Sequence, residues 1–471
     1  MSSDYLHGVE TVELNTGARA ILVVKSAVIG LIGIAPTGDK NTPILVSSDR
    51  DAAQFGSKVP GFSIPQSLDA IFKQGAGTVI VVNVFDSSKH TAAVTDEAQT
   101  VTDGKLKLAN APIGDVTIKD SDGETVTYVK DTDYSIDAFG NFLVLSSEIA
   151  DNTALKFTYK KLDATAVEDA DLIGAVDGGT GARSGMKCFD LAFNLFGFSP
   201  KILIAPLFSV TSAIATELIS VAESFRAITF IDAPSGTTVA GAISGRGPSG
   251  SINFKTSSNR AQLLYPFLKW YDVATDADAN FPYSAFMAGV RAAVDNNEGF
   301  WVSASNHEIL GITGAAVNIS AAVNDPNSDA NSLNAKGITT VFNTYGSGIR
   351  TWGNRSAAYP TSTAPDNFLC VRRTADIIHE SVEQACLQFI DQPITQGWID
   401  SVRESVNSFI RTLVGRGALI DGVCKFNKDD NPVSELQQGH VTFYIDFMPP
   451  TPAERITFNS FINIDYLNEL K

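Results

Sequence analysis

Thr78-Val79-Ile80-Val81-Val82-Asn83-Val84-Phe85 is the stretch that decides how this chain folds. It is a near-continuous apolar run without polar alternation, as expected of a strand covered on both faces. Upstream, Ile64 to Gln74 reads as a helix with Leu68, Ile71 and Phe72 on one face, and Asp49 to Phe55 as another. Val23 to Ile34, ending in Gly33-Ile34-Ala35-Pro36, is a second near-continuous apolar run, and Ile44 to Ser47 a short strand. Strands alternating with helices at this pitch predict a mostly parallel α/β sheet.

Downstream the composition shifts. Ala92 to Asp163 offers no convincing helix but short alternating strands: Val116 to Lys119, Thr125 to Val129, Phe142 to Leu145 and Leu155 to Tyr159. Asp120-Ser121-Asp122-Gly123 and Phe139-Gly140-Asn141 are tight-turn signals between them. This predicts a small all-β module inserted into the α/β domain. Asp120, Asp122 and Glu124 hint at calcium, but a complete loop needs further ligands in register, so they read as a solvated turn. The α/β pattern resumes near Gly174. Gly178 to Gly185 is glycine-rich yet lacks the Gly-Lys-Ser/Thr ending of a phosphate loop, and reads as a structural turn. Lys201 to Leu207, Ala227 to Asp232, Gln262 to Tyr271 and Ile338 to Phe342 read as strands. Val210 to Arg226 and Pro282 to Asn296 read as helices, the latter with Phe286, Val290 and Val294 facing one way.

The last hundred residues change character again. Ile377, Ile378, Val382, Ala385, Cys386, Phe389 and Ile390 recur at helical spacing until Pro393. Trp398, Ile399, Val402, Val406, Phe409, Ile410 and Leu413 repeat the pattern until Gly415 and Gly417. Val441 to Phe447 reads as half of an antiparallel pair, stopped by Pro449-Pro450. Ile456 to Tyr466 then alternates apolar and polar, the mark of one more strand. Such a strand at a chain end must pair, either within its own subunit or with a neighbour.

At 471 residues, 44% hydrophobic and 18% charged, the chain is long enough for two or three domains and a large core. A formal charge of −17 argues against a nucleic-acid partner, which calls for a basic patch, and against anionic membrane surfaces. The most apolar stretch, Ala18 to Ala35, is broken by Lys25 and by glycines, and no signal sequence is evident, so folding in a cytoplasm is expected. Cys188, Cys370, Cys386 and Cys424 are far apart and form no C-x-x-C pair, and the five histidines show no ligand spacing. No metal or cofactor is expected.

Certain residues carry a family resemblance. Arg373-Thr374-Ala375-Asp376 with the helix after it, the Trp398 to Leu413 helix and the Gly417-Ala418-Leu419-Ile420 turn resemble the C-terminal domain of contractile tail sheath proteins. Pro200 to Pro206, Ala288-Gly289-Val290-Arg291, Gly299-Phe300-Trp301, Ser305-Asn306, Gly311 to Gly314 and Gly348 to Ser356 resemble that family's α/β domain. Its most specific parts here are the Trp352-Gly353-x-Arg355 hairpin and the Arg373-Thr374-Ala375-Asp376 helix start; Asn354 and Ser356 depart from the usual residues around Arg355. His7-Gly8-Val9, Glu13 and Ala18-Arg19 resemble the family's N-terminal arm. The family builds the sheaths of contractile phage tails, R-type bacteriocins and related injection machines.

The resemblance implies a subtilisin-like sheath domain over 21–91 and 166–358, interrupted by the all-β insertion at 92–165. It implies an α+β tube-facing C-terminal domain over 359–454 and arms at 1–20 and 455–471. The arms would be donated to sheets of adjacent subunits through Val9, Val12 and Leu14 at one end and Ile456, Phe458, Ile462, Ile464 and Tyr466 at the other. Asp400, Arg403, Glu404 and Arg411, on the polar side of the second helix, are candidate tube contacts, although a solvated helix face would look the same. Implied partners are other copies of the chain, the tail tube protein, and baseplate and tail terminator proteins, with assembly in the host cytoplasm into a virion tail.

Because that α/β domain is described as subtilisin-like, a degenerate serine hydrolase is the rival reading. Ser303 or Ser305, His307 and Asp232 would have to meet within hydrogen-bond reach. There is no Gly-x-Ser-x-Gly elbow and no glycine-flanked histidine of the subtilase kind. No catalytic residue is therefore assigned.

Overall fold

The computed structural model describes residues 20–469 except 127, 248, 273–274, 344–345 and 347. Its main sheet contains β1 (Ile29–Gly33), β2 (Pro43–Val46), β3 (Val79–Asn83), β4 (Ile202–Ile204), β5 (Ile228–Asp232), β6 (Ala261–Leu264), β7 (Ile338–Asn343) and β8 (Ile349–Trp352). Their order across the sheet is β8-β7-β6-β5-β4-β1-β3-β2. All neighbours run parallel except β2 on β3 at one edge and β8 on β7 at the other, which are antiparallel. The fold is mixed α/β with a mainly parallel sheet.

The apolar runs of the sequence have a direct consequence here. Successive side chains leave a strand on opposite faces, so a run without polar alternation needs two cores. Ile29, Leu31, Val79, Val81, Ile202 and Ile204 enter one core, with Leu68, Ile71, Phe286 and Val290. Ile32, Ile80, Val82 and Leu203 enter the other, with Met186, Phe189, Leu218 and Val221. The first face is covered by α1 (Ile64–Lys73) and α3 (Tyr283–Asn297), the second by α2 (Ser212–Ser224). Pro65 sits in the first turn of α1, where its missing N–H costs nothing. Thr211 caps α2 by accepting from Ile214 N. Gly289 lets α3 lie close against α1: a Cβ there would fall 2.9 Å from Ile71 O and 2.6 Å from Gln74 Cγ.

Two apolar runs are shorter as strands than the sequence predicts. Val23 to Ile34 is a strand only from Ile29; Ile21, Val23 and Val24 instead pack on the C-terminal helices. Gln262 to Tyr271 is two strands, β6 and Leu268–Asp272, because Pro266 has no N–H to give a ladder. Periodicity reports burial, and both segments are largely buried without being continuous strands.

Between Thr91 and Leu162 the paired strands are all antiparallel among the described residues. Thr91–Thr100, Ile113–Lys119 and Ala154–Leu162 make one three-stranded sheet, and Lys105–Lys107, Tyr134–Ile136 and Asn141–Val144 another. They enclose a separate core of Leu108, Ile118, Tyr134, Phe142, Leu155, Phe157 and Tyr159. Thr125 makes an isolated bridge to Lys119, and no strand forms among the described residues of the expected Thr125 to Val129 strand. Asp120 spends its carboxylate on the turn, accepting from Asp122 N at 3.0 Å and Glu124 N at 2.9 Å.

After the main sheet come α4 (Leu369–Cys386) and α5 (Gln396–Gly415), then a ribbon of β9 (Asp421–Lys425) and β10 (Tyr444–Met448). Thr395 caps α5 by accepting from Trp398 N, and Gly417 supplies the positive φ that ends it. Ile377, Ile378, Val406, Phe409, Ile410 and Leu413 form their core. Beyond Met448 no strand forms among the described residues; Ile464–Glu469 is a 3-10 turn. The strand expected over Ile456 to Tyr466 is thus not formed, since no strand among the described residues pairs with it to complete a ladder.

Candidate assembly surface

The first helix of the C-terminal unit meets the α/β body along a charged seam. On α4, Asp376 receives both amines of Arg260 at 2.6 and 3.0 Å, and Arg372 Nη2 at 2.9 Å from one turn away. Glu380 pairs with Lys201 at 2.5 Å, and Glu383 holds Arg226 at 2.6 and 2.7 Å. Burial pushes the Lys201 ammonium below its usual range, opposed by Glu380. Arg373 crosses the seam in the other direction. Its buried guanidinium bonds Asp295 of α3, which also accepts from Arg291 Nε at 2.8 Å. Burial lowers the Arg373 pKa, with Asp295 pulling the other way. The leading segment is sewn in as well: Val24 N donates to Ser381 Oγ at 3.2 Å and Arg373 Nη2 to Ser26 O at 3.3 Å.

Of the polar residues on α5, Arg403 pairs with Asp400 at 2.9 Å and Arg411 pairs with Glu404. All four are exposed or half-exposed, and their charges cancel in pairs along one outward face. The β9–β10 ribbon has an uneven pair of edges. On β9, Asn407 of α5 donates to Cys424 O at 3.1 Å and accepts from Cys424 N at 2.7 Å. The outer edge of β10 has no partner strand among the described residues. Such an edge is a template for another strand.

The C-terminal segment stands away from the body. Phe458 is 88% exposed and Ile462 96%, and Ile456, Phe461, Ile464 and Tyr466 are also exposed. Its root is bonded to the body where Glu454 accepts from Arg355 Nε at 3.1 Å and from Nη2. The expected N-terminal arm residues Val9, Val12 and Leu14 lie outside the described residues.

The residues weighed for hydrolysis do not converge. Asp232 is fully buried on β5, accepting from Ser284 N at 2.8 Å, Ser284 Oγ at 2.5 Å and Ser209 Oγ at 3.1 Å. Burial pushes its pKa up to about 6. His307 is elsewhere, its Nε2 2.8 Å from Glu298 and its Nδ1 3.1 Å from the Ser305 carbonyl. Ser305 Oγ accepts from Gly353 N at 3.0 Å, and Ser303 Oγ accepts from Ser305 N at 3.2 Å. The glycine-rich stretch folds around Asp177, whose Oδ1 accepts from Gly179 N at 3.0 Å and Thr180 N at 2.6 Å.

Sequence reasoning missed the seam and the Glu454 contact. Asp376, Glu380 and Glu383 at spacings of four and three do mark one acidic stripe on α4, which was a usable signal. Their partners Arg260, Lys201 and Arg226 are over 100 residues away in the chain and carry no local pattern.

Comparison with known proteins adds the following. The family model described as phage tail sheath protein central domain matches residues 181–357, and that described as phage tail sheath C-terminal domain matches residues 361–463. A family described only as a protein of unknown function matches residues 86–170. The chain is 48% identical over 476 residues to the tail sheath protein of Burkholderia phage BcepMu, covering 100% of this chain and 99% of that one. It is 26% identical to the tail sheath protein of Escherichia phage P2, covering 99% and 98%. Among solved structures, it resembles the anti-feeding prophage helical sheath in the contracted state with a TM-score of 0.60 at 15% identity, covering 98% of this chain and 100% of that one. The contracted sheath complex of PVC, an extracellular contractile injection system, gives 0.59 at 15% identity, covering 99% and 100%.

Proposed function

Because the chain belongs to the phage tail sheath protein family, we infer that it is a structural subunit of a contractile virion tail, polymerised helically around a tail tube. Its relatives are structural proteins, and the chain is not an enzyme. The observations that carry the reading are the C-terminal segment, whose apolar side chains are exposed and unpaired, and a two-stranded ribbon with an open edge. A ribbon of two strands is marginal alone and gains from a third. A strand from a neighbour would satisfy the free N–H and C=O groups of β10, while Ile456, Phe458, Ile462, Ile464 and Tyr466 set its register. From Ile456 to Lys471 the arm can reach about 53 Å when extended. The N-terminal arm, through Val9, Val12 and Leu14, would reach a different neighbour. Contacts to two different neighbours are heterologous and propagate as a helix instead of closing.

Arms of this kind let the bodies rotate while remaining tied. Contraction then draws on interface free energy alone, from an extended lattice held by the tube and baseplate to a tighter one, and needs no nucleotide. Asp400, Arg403, Glu404 and Arg411 would face the tube, and a terminator protein would cap the array. We assign 21–91 and 166–358 to the subtilisin-like sheath domain and 359–454 to the C-terminal domain. The insertion at 92–165 is assigned as a domain of its own, supported by its separate core. The same reading suits the sheath of an R-type bacteriocin or of an extracellular injection system, a contracted sheath of the latter kind sharing the fold.

The test is electron microscopy of the purified full-length protein beside a deletion of residues 456–471. Hollow helical tubes from the full-length chain alone are expected. If both stay as dispersed globules or both polymerise, the donation argument fails.

A further inference from the structure

We propose that Arg355 is a positioning residue for the C-terminal arm, a preformed clamp that fixes through Glu454 the point and direction at which the arm leaves the body. The proposal rests on the strand-donation reading and adds to it the device that aims the strand.

The Arg355 side chain is held before it meets the arm. Its guanidinium lies 3.6 Å from the Phe368 ring centroid and 4.7 Å from that of Tyr359. Its Nη1 donates to Asn367 Oδ1, and Asn367 is itself buried, donating to Ser362 O at 3.2 Å and accepting from Ser356 N at 2.7 Å. The remaining two donors, Nε and Nη2, point outward as a fork, and each takes one oxygen of the Glu454 carboxylate. An isolated exposed ion pair contributes little because two long side chains must be ordered to make it. Here one partner is already ordered by two aromatic rings and an amide, and the fork matches a carboxylate bidentately, so most of that entropy cost falls away.

The position of the contact gives it meaning. Glu454 is the last side chain toward the C-terminus that bonds the body among the described residues. From Arg455 to Ile462 the chain has neither regular structure nor burial that would direct it. A tethered strand finds its acceptor at an effective concentration set by where the tether starts and how freely it swings. Fixing the root at Glu454 narrows that volume, whereas a free root would spread the arm over many non-productive directions. The same clamp keeps one end of the arm attached to its own body while the bodies rotate. It also accounts for the Trp352-Gly353-x-Arg355 hairpin, because the turn after β8 delivers the guanidinium to the place where the chain exits.

The experiment uses the full-length chain with a nitroxide at Thr457→Cys, three residues beyond the clamp, and the native cysteines replaced by serine or alanine. Glu454→Gln removes the charge and keeps the shape, and Arg355→Lys keeps the charge but loses the fork and the stacking. Both are expected to raise the mobile-to-immobile ratio of the label by up to about fivefold, the upper range for such a pair. About 1 M salt should raise the ratio for the parent and shrink the difference. The melting temperature of Glu454→Gln should be unchanged, which separates positioning from folding. Tubes of this variant should be fewer and shorter at equal protein concentration. An unchanged label spectrum with unchanged tubes overturns the clamp. A mobilised label with wild-type tubes overturns its role in aiming the arm. Polymerisation of the 456–471 deletion would instead overturn strand donation, and the label would still report on the clamp in unassembled protein.

Discussion

Replacing Asp295 by Asn asks how much the C-terminal unit depends on a single buried carboxylate. The Asp295 side chain is fully buried, and it holds Arg291 from its own helix and Arg373 from α4, themselves 4% and 3% exposed. Removing its charge leaves two guanidiniums desolvated with only carbonyl partners: Val302 O for Arg291 at 2.6 Å, and Lys201 O and Ser26 O for Arg373 at 3.3 Å. Breaking a buried pair on one side costs about 3–5 kcal/mol, because the uncompensated charge stays behind. A chain of this length melting as one unit gains unfolding entropy worth about 1 kcal/mol per degree, so Asp295→Asn should lower the melting temperature by about 3–5 °C. Calorimetry measures this, and hydrogen exchange over Leu369–Cys386 should rise in parallel if the loss sits at the seam. Glu383→Gln is the internal control. It breaks a bidentate pair on the same helix whose partners are 35% and 60% exposed, and should cost less than about 1 kcal/mol. Equal shifts for the two variants, or a shift under about 1 °C for Asp295→Asn, would refute the claim that burial decides what each pair contributes.

Two further expectations follow from single side chains. Asp232 has its pKa raised from 3.8 to about 6 by burial, so between those values the folded state holds a proton that the unfolded chain has released. Stability therefore falls as pH rises through that window, and above it the charge costs up to about 3 kcal/mol. Asp232→Asn keeps an acceptor for Ser284 without the charge; it should melt above the parent at pH 8 and match it at pH 4, and an offset independent of pH would contradict the assignment. Gly289→Ala should destabilise despite the better helix former. Its Cβ would fall 2.9 Å from Ile71 O, and overpacking of about 1–3 kcal/mol exceeds the gain of about 1 kcal/mol in helix propensity. A melting temperature at or above the parent's would show that α1 and α3 can move apart freely.

What the sequence determined by itself was local and periodic. Thr78 to Phe85 carried its own evidence of two-sided burial, and from it came the mainly parallel sheet. The apolar stripes of Ile377 to Ile390 and Trp398 to Leu413 likewise specified two amphipathic helices, because a buried face recurs every turn wherever the partner lies, although the first helix ends at Cys386 and leaves Ile390 exposed. The same logic overreached at Val23 and at Pro266. A run of apolar residues records burial, and Ile21, with the half-buried Val23 and Val24, packs against helices over 350 residues away instead of in a ladder.

Only the tertiary structure decided which charges meet. Asp376 with Arg260, Arg373 with Asp295 and Glu454 with Arg355 are separated by 116, 78 and 99 residues. An ionic side chain has no periodicity that names its partner; it is selected when two elements dock. The terminal segment is the converse case. Ile456 to Tyr466 has the alternation of a strand but no ladder among the described residues, because a strand needs hydrogen-bond partners that these residues do not supply.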